Sequence, residues 1–348
     1  MAKLLKLEIS GVDPRIRGQQ YGEGARALIH RSIAFYIELF RRSTGLEWAE
    51  ILRQARAWLP HIERYSPELL DEVRGIADGS GRSFEEILVL NGRGELSLEN
   101  PFTATHERLD SRVHPDKRVH PDKYDEGCSS FALLPEANAL GRVWAGQNWD
   151  WRDDVADTVI ILRIEQPGKP TIIGQVEAGQ VGRHGANSAG IALNANGLGG
   201  RFGEGLGVPG TYVRRMILES WDMYDALNTV FGVTQAFSTN ILLTHRDGFA
   251  IDVETTPGRH AWMYPTDGML VHGNHFAAFI PPQLNNTYKP FSIDSLYRVP
   301  RIEDGLRRLR TEAESPEDLH KIVKATMSDH FAFPNSVCSH PRHPTPRG

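Results

Sequence analysis

A thiol follows a glycine at Gly127-Cys128, and two hydroxyl residues, Ser129 and Ser130, come directly after it. Gly127 has no Cβ, so the chain can take up a strained conformation just ahead of the thiol. If that thiol attacks the Gly127 carbonyl, an N-to-S acyl shift and hydrolysis free the α-amino group of Cys128. An α-amine has a pKa of about 7.7–8.0, well placed to take a thiol proton near neutrality. Nucleophile and base then sit on one residue, and no catalytic histidine is needed. This accounts for 14 histidines that show no orderly Cys–His spacing. The plain alternative is a small buried hydrophobe. The polar stretch before Cys128 favours the reactive reading, because segments that are cut or released have that character.

Composition narrows the other chemistries. The chain has 348 residues, 39 Lys+Arg against 44 Asp+Glu, a net charge of −5 and 40% hydrophobic residues. It can bury a large core, and wholesale disorder is excluded. The slight acidity argues against nucleic acid or an anionic membrane as main partner. With only two cysteines, Cys128 and Cys338, a disulfide framework and a Cys-rich zinc or iron–sulfur site are ruled out. A metal-dependent hydrolase built on His272 and His275, with Asp252 or Glu254, is the competing catalytic reading. His272-x-x-His275 lacks the helical H-E-x-x-H pattern, which disfavours it. The glycine-rich run 197–207 has no Walker lysine and no dinucleotide fingerprint.

These residues need elements to hold them. Met1–Ser10 alternates like a strand rather than a signal peptide, and no stretch reaches the ~20 apolar residues of a membrane span. A cytoplasmic protein is therefore expected. Up to about residue 95 the periodicity predicts helices: Ile29, Ile33, Tyr36, Ile37 and Phe40 share one face, and Ser66-Pro67 opens another helix. Ser83-Phe84-Glu85-Glu86 is a capping box. Residues 99–126 read as a polar surface loop containing Arg-Val-His-Pro-Asp-Lys twice in tandem. Beyond Gly127, strands 129–134 and 143–150 could form a hairpin, with further strands at 158–165, 171–176, 191–194, 240–245, 249–254 and 269–272. Helices are expected at 209–231, at 296–309 and after Ser315-Pro316. Helices, strands, helix, strands, helices make an α+β layered fold rather than a βαβ sheet.

Glu126-Gly127-Cys128-Ser129-Ser130-Phe131, followed by Gly146-Gln147-Asn148-Trp149-Asp150-Trp151, resembles the acyl-CoA:6-aminopenicillanic-acid acyltransferase (isopenicillin N acyltransferase) family of N-terminal-nucleophile hydrolases. Gly75-Ile76-Ala77-Asp78-Gly79, Leu90-Asn91-Gly92-Arg93-Gly94-Glu95, Glu177-Ala178-Gly179, Gly185-Ala186-Asn187-Ser188-Ala189-Gly190 and His272-Gly273-Asn274-His275 extend it along the chain. The resemblance implies an αββα four-layer sandwich with an N-terminal helical segment. It also implies division into residues 1–127, helical segment plus cleavable loop, and 128–348, catalytic core. Cys128 would be nucleophile for both self-cleavage and acyl transfer, and Asp150 would orient the freed amine. Asn274 and Asn194 would donate to the oxyanion. Substrates would be an N-acyl amide, penicillin-like or an acyl-amino acid, or an acyl-CoA donor, with no metal or bound cofactor. The N-terminal fragment would remain as partner. The chain departs from the family pattern at Ser336-Val337-Cys338-Ser339-His340, where Ser339 stands in place of an arginine and Arg342 is a nearby substitute. It also ends at Gly348, where relatives continue through further strands. The alternative function is an unprocessed relative acting as a binding protein.

Overall fold

The computed structural model describes residues 4–98, 127–200, 206–284, 288–290 and 292–340. The duplicated hexapeptide and Arg342 lie outside them. Strand β1 (Leu5–Ser10) leads into helices α1 (Pro14–Gly24), α2 (Arg26–Thr44), α3 (Trp48–Arg56), α4 (Leu59–Tyr65), α5 (Pro67–Ser80), α6 (Phe84–Asn91) and α7 (Arg93–Leu98). Then come β2 (Gly127–Leu133), β3 (Trp144–Asp150), β4 (Val159–Glu165), β5 (Ile172–Glu177), β6 (His184–Asn187) and β7 (Ile191–Gly197). Helices α8 (Gly210–Leu218) and α9 (Met223–Phe231) precede β8 (Thr239–His245), β9 (Phe249–Thr255), β10 (His260–Met263) and β11 (Met269–His272). The described chain closes with α10 (Ser295–Arg307), α11 (Leu309–Glu312) and α12 (Pro316–Met327).

The strands make two sheets, β1-β4-β5-β6-β7-β8-β9-β10 and β11-β2-β3. Among these described strands only β1 and β4 pair in parallel. Alternation along each strand decides what covers each face. Ile241, Leu243, Ile251 and Val253 point to the N-terminal helices, α8 and α9. Their neighbours Leu242 and Ala250 meet Ala132, Leu134 and Leu270 of the second sheet. Phe131, Leu133 and Val271 face the other way, onto Ile302, Leu306, Leu309 and Leu319. The result is helix, sheet, sheet, helix, the α+β layering expected from the sequence.

Residues 4–98 share one apolar core with the large sheet and α8: Ile29, Ile33 and Leu90 are buried with Ile160 and Leu193 of the sheet and Tyr212 of α8. Helices α1 and α5 cross backbone to backbone. A Cβ on Gly18 would lie 2.0 Å from the Glu72 carbonyl oxygen, and one on Gly75 would lie 2.1 Å from that of Arg15. That contact gives the 75–79 motif a structural role.

The hairpin, the Ser83–Glu86 capping box and the Ser66 and Ser315 caps form as predicted. The single helix expected over 209–231 is two, because the Asp222 side chain accepts the Asp225 N–H (2.9 Å) and starts α9 afresh. Strands β6 and β10, four residues each, lacked a readable alternation. Among the described residues no helix is long and apolar enough to cross a membrane.

Candidate active site

Pairing of β2 with β3 sets Gly127 opposite Asp150 and Cys128 opposite Trp149. Their end of the hairpin opens on a cleft of about 80 Å³, roofed by α7 and α8 and walled by the end of β7. Cys128, Asp150 and Asn274 all line it. Asn194 does not: Ala195 and Gly197 line the cleft, and alternation turns Asn194, with Asn196, to the opposite face of β7. The structure thus brings three of the four expected site residues together and leaves one aside.

The junction is held from several elements. The Cys128 N–H donates to Asn274 Oδ1 (2.7 Å), whose amide nitrogen donates to the Gly197 carbonyl (2.9 Å). Ser295 Oγ, at the start of α10, accepts the Asn274 N–H (2.6 Å). Arg298, fully buried on α10, donates to the Cys128 carbonyl (2.7 Å), Ser129 Oγ (2.5 Å) and Asn274 Oδ1 (2.8 Å). Its Nε is paired with Asp294 (2.8 Å). Sequence reasoning missed Arg298 and looked for a guanidinium after Cys338 instead. The signal was present: Ser295, Arg298, Ile302 and Leu306 follow helical spacing and are all buried, so an arginine sits in an apolar stripe.

Burial, and then the Asp150 carboxylate, push the Cys128 thiol up to about 11, with Arg183 and Arg298 opposing. Burial likewise pushes the Asp150 carboxyl up to about 7, Arg298 opposing and Asp294 adding. Asp150 Oδ2 has no hydrogen-bond partner among the described residues. It stands 3.3 Å from where a Cβ of residue 127 would be, as does Arg298 Nη2. Glycine therefore leaves free space between the carboxyl and the guanidinium at the junction.

Three buried arginines edge the cleft. Arg93 pairs with Glu177 (2.9 Å), and its guanidinium lies over Trp151. Arg214 reaches Thr239 Oγ1 (3.3 Å) and feels the buried Glu95 carboxyl. Arg183, 8% exposed, lies 3.8 Å over the Trp149 ring and has no carboxylate partner among the described residues. Burial, then the charges of Arg93 and Arg214, disfavour its charge, yet a guanidinium keeps its proton.

The motif 90–95 builds this rim: the Asn91 amide spans the Gly179 carbonyl and Val181 N–H (both 2.9 Å), and Glu95 Oε1 accepts the Gly210 N–H (2.7 Å). His272 and Glu254 do not converge on a metal-like geometry with His275. His272 Nε2 is bonded to Glu254 Oε1 (2.9 Å), which also accepts the Ala278 N–H (3.1 Å), whereas His275 turns to Ser295 (2.7 Å). This pair ties β9 to the loop that carries Asn274.

Layered sheets with a thiol at the start of an inner strand, diagonal to a carboxyl on the paired strand, define an α+β protein with a cysteine-centred cleft. The chain belongs to the acyl-coenzyme A:6-aminopenicillanic acid acyl-transferase family, whose model matches residues 137–338. That stretch contains Asp150, Asn274 and Arg298 and opens after Cys128. The chain is 28% identical over 259 residues to the acyl-coenzyme A:6-aminopenicillanic-acid-acyltransferase 40 kDa form of Emericella nidulans. The alignment spans 74% of this chain and 66%, just under two thirds, of that protein. Among solved structures, penicillin V acylase from Agrobacterium tumefaciens is matched at 14% identity and a TM-score of 0.34, over 64% of this chain and 67% of that one.

Proposed function

We propose that the chain is a self-processing amidohydrolase or acyltransferase that cuts itself between Gly127 and Cys128 and then carries acyl groups as a Cys128 thioester. The Cys128 thiol adds to the Gly127 carbonyl, the C–N bond breaks as the amine leaves, and water releases Gly127 as a carboxylate. One observation carries the reading: the Cys128 nitrogen already rests on Asn274 Oδ1 (2.7 Å), and an unpartnered Asp150 oxygen waits beside Gly127. Once freed, the α-amine inherits both as acceptors. It can then take the thiol proton that burial otherwise holds in place. Asn274 acts as amine holder here. Its amide N–H that is not used by Gly197 remains for an oxyanion, the role first expected of it.

The uncut chain fills part of its own site. A cleft of about 80 Å³ is well short of the several hundred Å³ that a drug-sized ligand needs, and Gly127 is part of its wall. Departure of the 127 end opens room for an acyl group. The substrate is an N-acyl amide carrying an anionic group, penicillin-like or an acyl-amino acid. Arg183, a buried cation with no paired carboxylate among the described residues, supports that class. Because residues 4–98 share the core with the sheet, the fragments 1–127 and 128–348 would stay together after the cut.

The test is a denaturing gel of purified protein over a long incubation, with amino-terminal sequencing of the larger fragment and Cys128→Ala alongside. A fragment starting at Cys128 in wild type alone supports the proposal. An intact wild-type band, or cutting that survives in Cys128→Ala, overturns it.

A further inference from the structure

Away from the cleft, the segment after α12 folds back so that three metal-ligating atoms meet. His330 Nε2 and His340 Nε2 are 2.9 Å apart, and Cys338 Sγ is 3.5 Å from His340 Nε2. All three atoms lie within 4.8 Å of one another. A hydrogen bond between the imidazoles accounts for one contact only. His340 Nε2 faces both other ligands, and an imidazole nitrogen carries either one proton or one lone pair. A cation at the centre serves all three.

Ligand atoms around a tetrahedral zinc stand about 3.3–3.6 Å apart, given Zn–N near 2.0–2.1 Å and Zn–S near 2.3 Å. The closest pair here needs to open by less than about half an ångström to match. The donors are held by a backbone frame. The Cys338 N–H donates to the Asp329 carbonyl (3.0 Å), the His340 N–H to that of Pro334 (3.0 Å) and the Phe333 N–H to that of His330 (3.1 Å). Arg301 fixes Asp329 (2.7 Å), and the Phe333 ring packs on His340 (5.1 Å between centroids). Val337, just before Cys338, takes the Asn148 amide N–H on its carbonyl (2.8 Å). The loop is thus anchored to β3, two residues ahead of Asp150.

We propose that His330, Cys338 and His340 form a three-ligand site for a zinc-like divalent transition ion, with water in the fourth position. Cys338 gives its thiol proton to solvent as the metal–sulfur bond forms, the histidines bind as neutral imidazoles, and nothing is oxidised or reduced. One thiolate and two imidazoles suit zinc or cobalt, whereas magnesium and calcium take oxygen ligands. A bound ion ties the 330–340 loop together and so steadies the strand it rests on.

The test uses the full chain with Cys128→Ala, leaving Cys338 as its single thiol whether or not the wild type cuts itself. Cobalt(II) added to chelator-treated protein should give a sulfur-to-cobalt charge-transfer band and tetrahedral visible bands that saturate at one ion per chain. Zinc should displace it. Cys338→Ser should remove the charge-transfer band, and His330→Ala and His340→Ala should each weaken binding at least about tenfold. His330 is exposed, so its variant leaves the fold intact; circular dichroism checks the others. Lack of a sulfur band in the parent, or an affinity indifferent to all three substitutions, overturns the site.

Discussion

Two buried charge clusters in this molecule are built alike and finished differently. Beneath α1, α5 and α8, Arg215 meets Glu72 (2.8 Å) and Glu219 (2.9 Å), Glu72 also takes Arg17 (3.1 Å), and the Val181 carbonyl accepts from Arg215 (3.0 Å). Every charge there faces its opposite. Around the cleft, among the described residues, Arg183 lies on an indole with no carboxylate paired to it, Asp150 Oδ2 has no donor, and the Cys128 thiol is pressed upward by both burial and Asp150. A satisfied buried pair is close to neutral for stability, but a lone buried charge is strongly unfavourable. On the proposed function, the second cluster is left open for what completes it later: a freed amine at Asp150 and a substrate anion at Arg183.

The largest effect should come from closing the open cluster at Asp150. Asp150→Asn should slow self-cleavage by about 10²–10⁴-fold, the range for a lost acid–base partner, followed as loss of the full-length band. The same variant should be more stable than wild type. A carboxyl raised from 3.8 to about 7 carries no penalty below its unfolded pKa and the full penalty above 7. The gain should therefore be a few kcal/mol at pH 8 and much smaller at pH 5. Urea unfolding of the uncut chain at both pH values, in a Cys128→Ala background, reads it. A loss of stability at pH 8 would place Asp150 with the closed cluster.

Glu72→Gln is the opposite case. It strands Arg17 in the core and leaves Arg215 with Glu219 alone, and unfolding free energy should fall by about 3–5 kcal/mol at any pH where the fold persists. A third cluster is closed in a way that pH alone can undo. Burial would lower the His272 imidazole, but the Asp252 and Glu254 carboxylates outweigh it and push it up to about 9. Its contribution is complete below the unfolded value of about 6.5 and is lost as pH rises through about 9. The stability gap between wild type and His272→Gln should therefore be up to about 3 kcal/mol at pH 6 and narrow by pH 9.5. A gap that stays constant would mean the imidazole is neutral throughout.

Much of this contrast was legible beforehand, and the remainder was hidden for definite reasons. Cys128 could be read from its place beside Gly127 at the end of the polar stretch, whereas Asp150 and Asn274 came from the family resemblance. Asn194 came from the family resemblance, and its face could not be read in advance, because a strand seen without its sheet does not say which side meets the cleft. Arg298 was recognisable as an arginine in an apolar stripe, but its target lies 170 residues away. The closed cluster was out of reach altogether, since Glu72 on α5 and Arg215 on α8 are 143 residues apart, and Arg17 joins them only through the α1–α5 crossing. The cluster at His330, Cys338 and His340 is local in sequence, yet it needs a chain reversal that spacing alone does not reveal.

The smallest effect bears most directly on what the cleft binds. Arg183 has its charge buried and its plane on Trp149, so Arg183→Met keeps the apolar stack while removing the cation. Stability should hold or rise slightly, because no ion pair is broken. In the processed enzyme, the KM for a penicillin or N-acyl amino acid should rise about 10–100-fold, the worth of a charge-assisted hydrogen bond of about 1.5–3 kcal/mol. The kcat should stay within a few-fold, since the contact exists before and during reaction alike. A neutral ester or amide of the same acyl compound should bind wild type and variant equally. Equal losses on acid and neutral substrate, or unfolding like that of Glu72→Gln, would show that Arg183 supports the wall rather than the ligand. The two clusters would then differ in geometry alone, and the anion would have to be sought at Arg214.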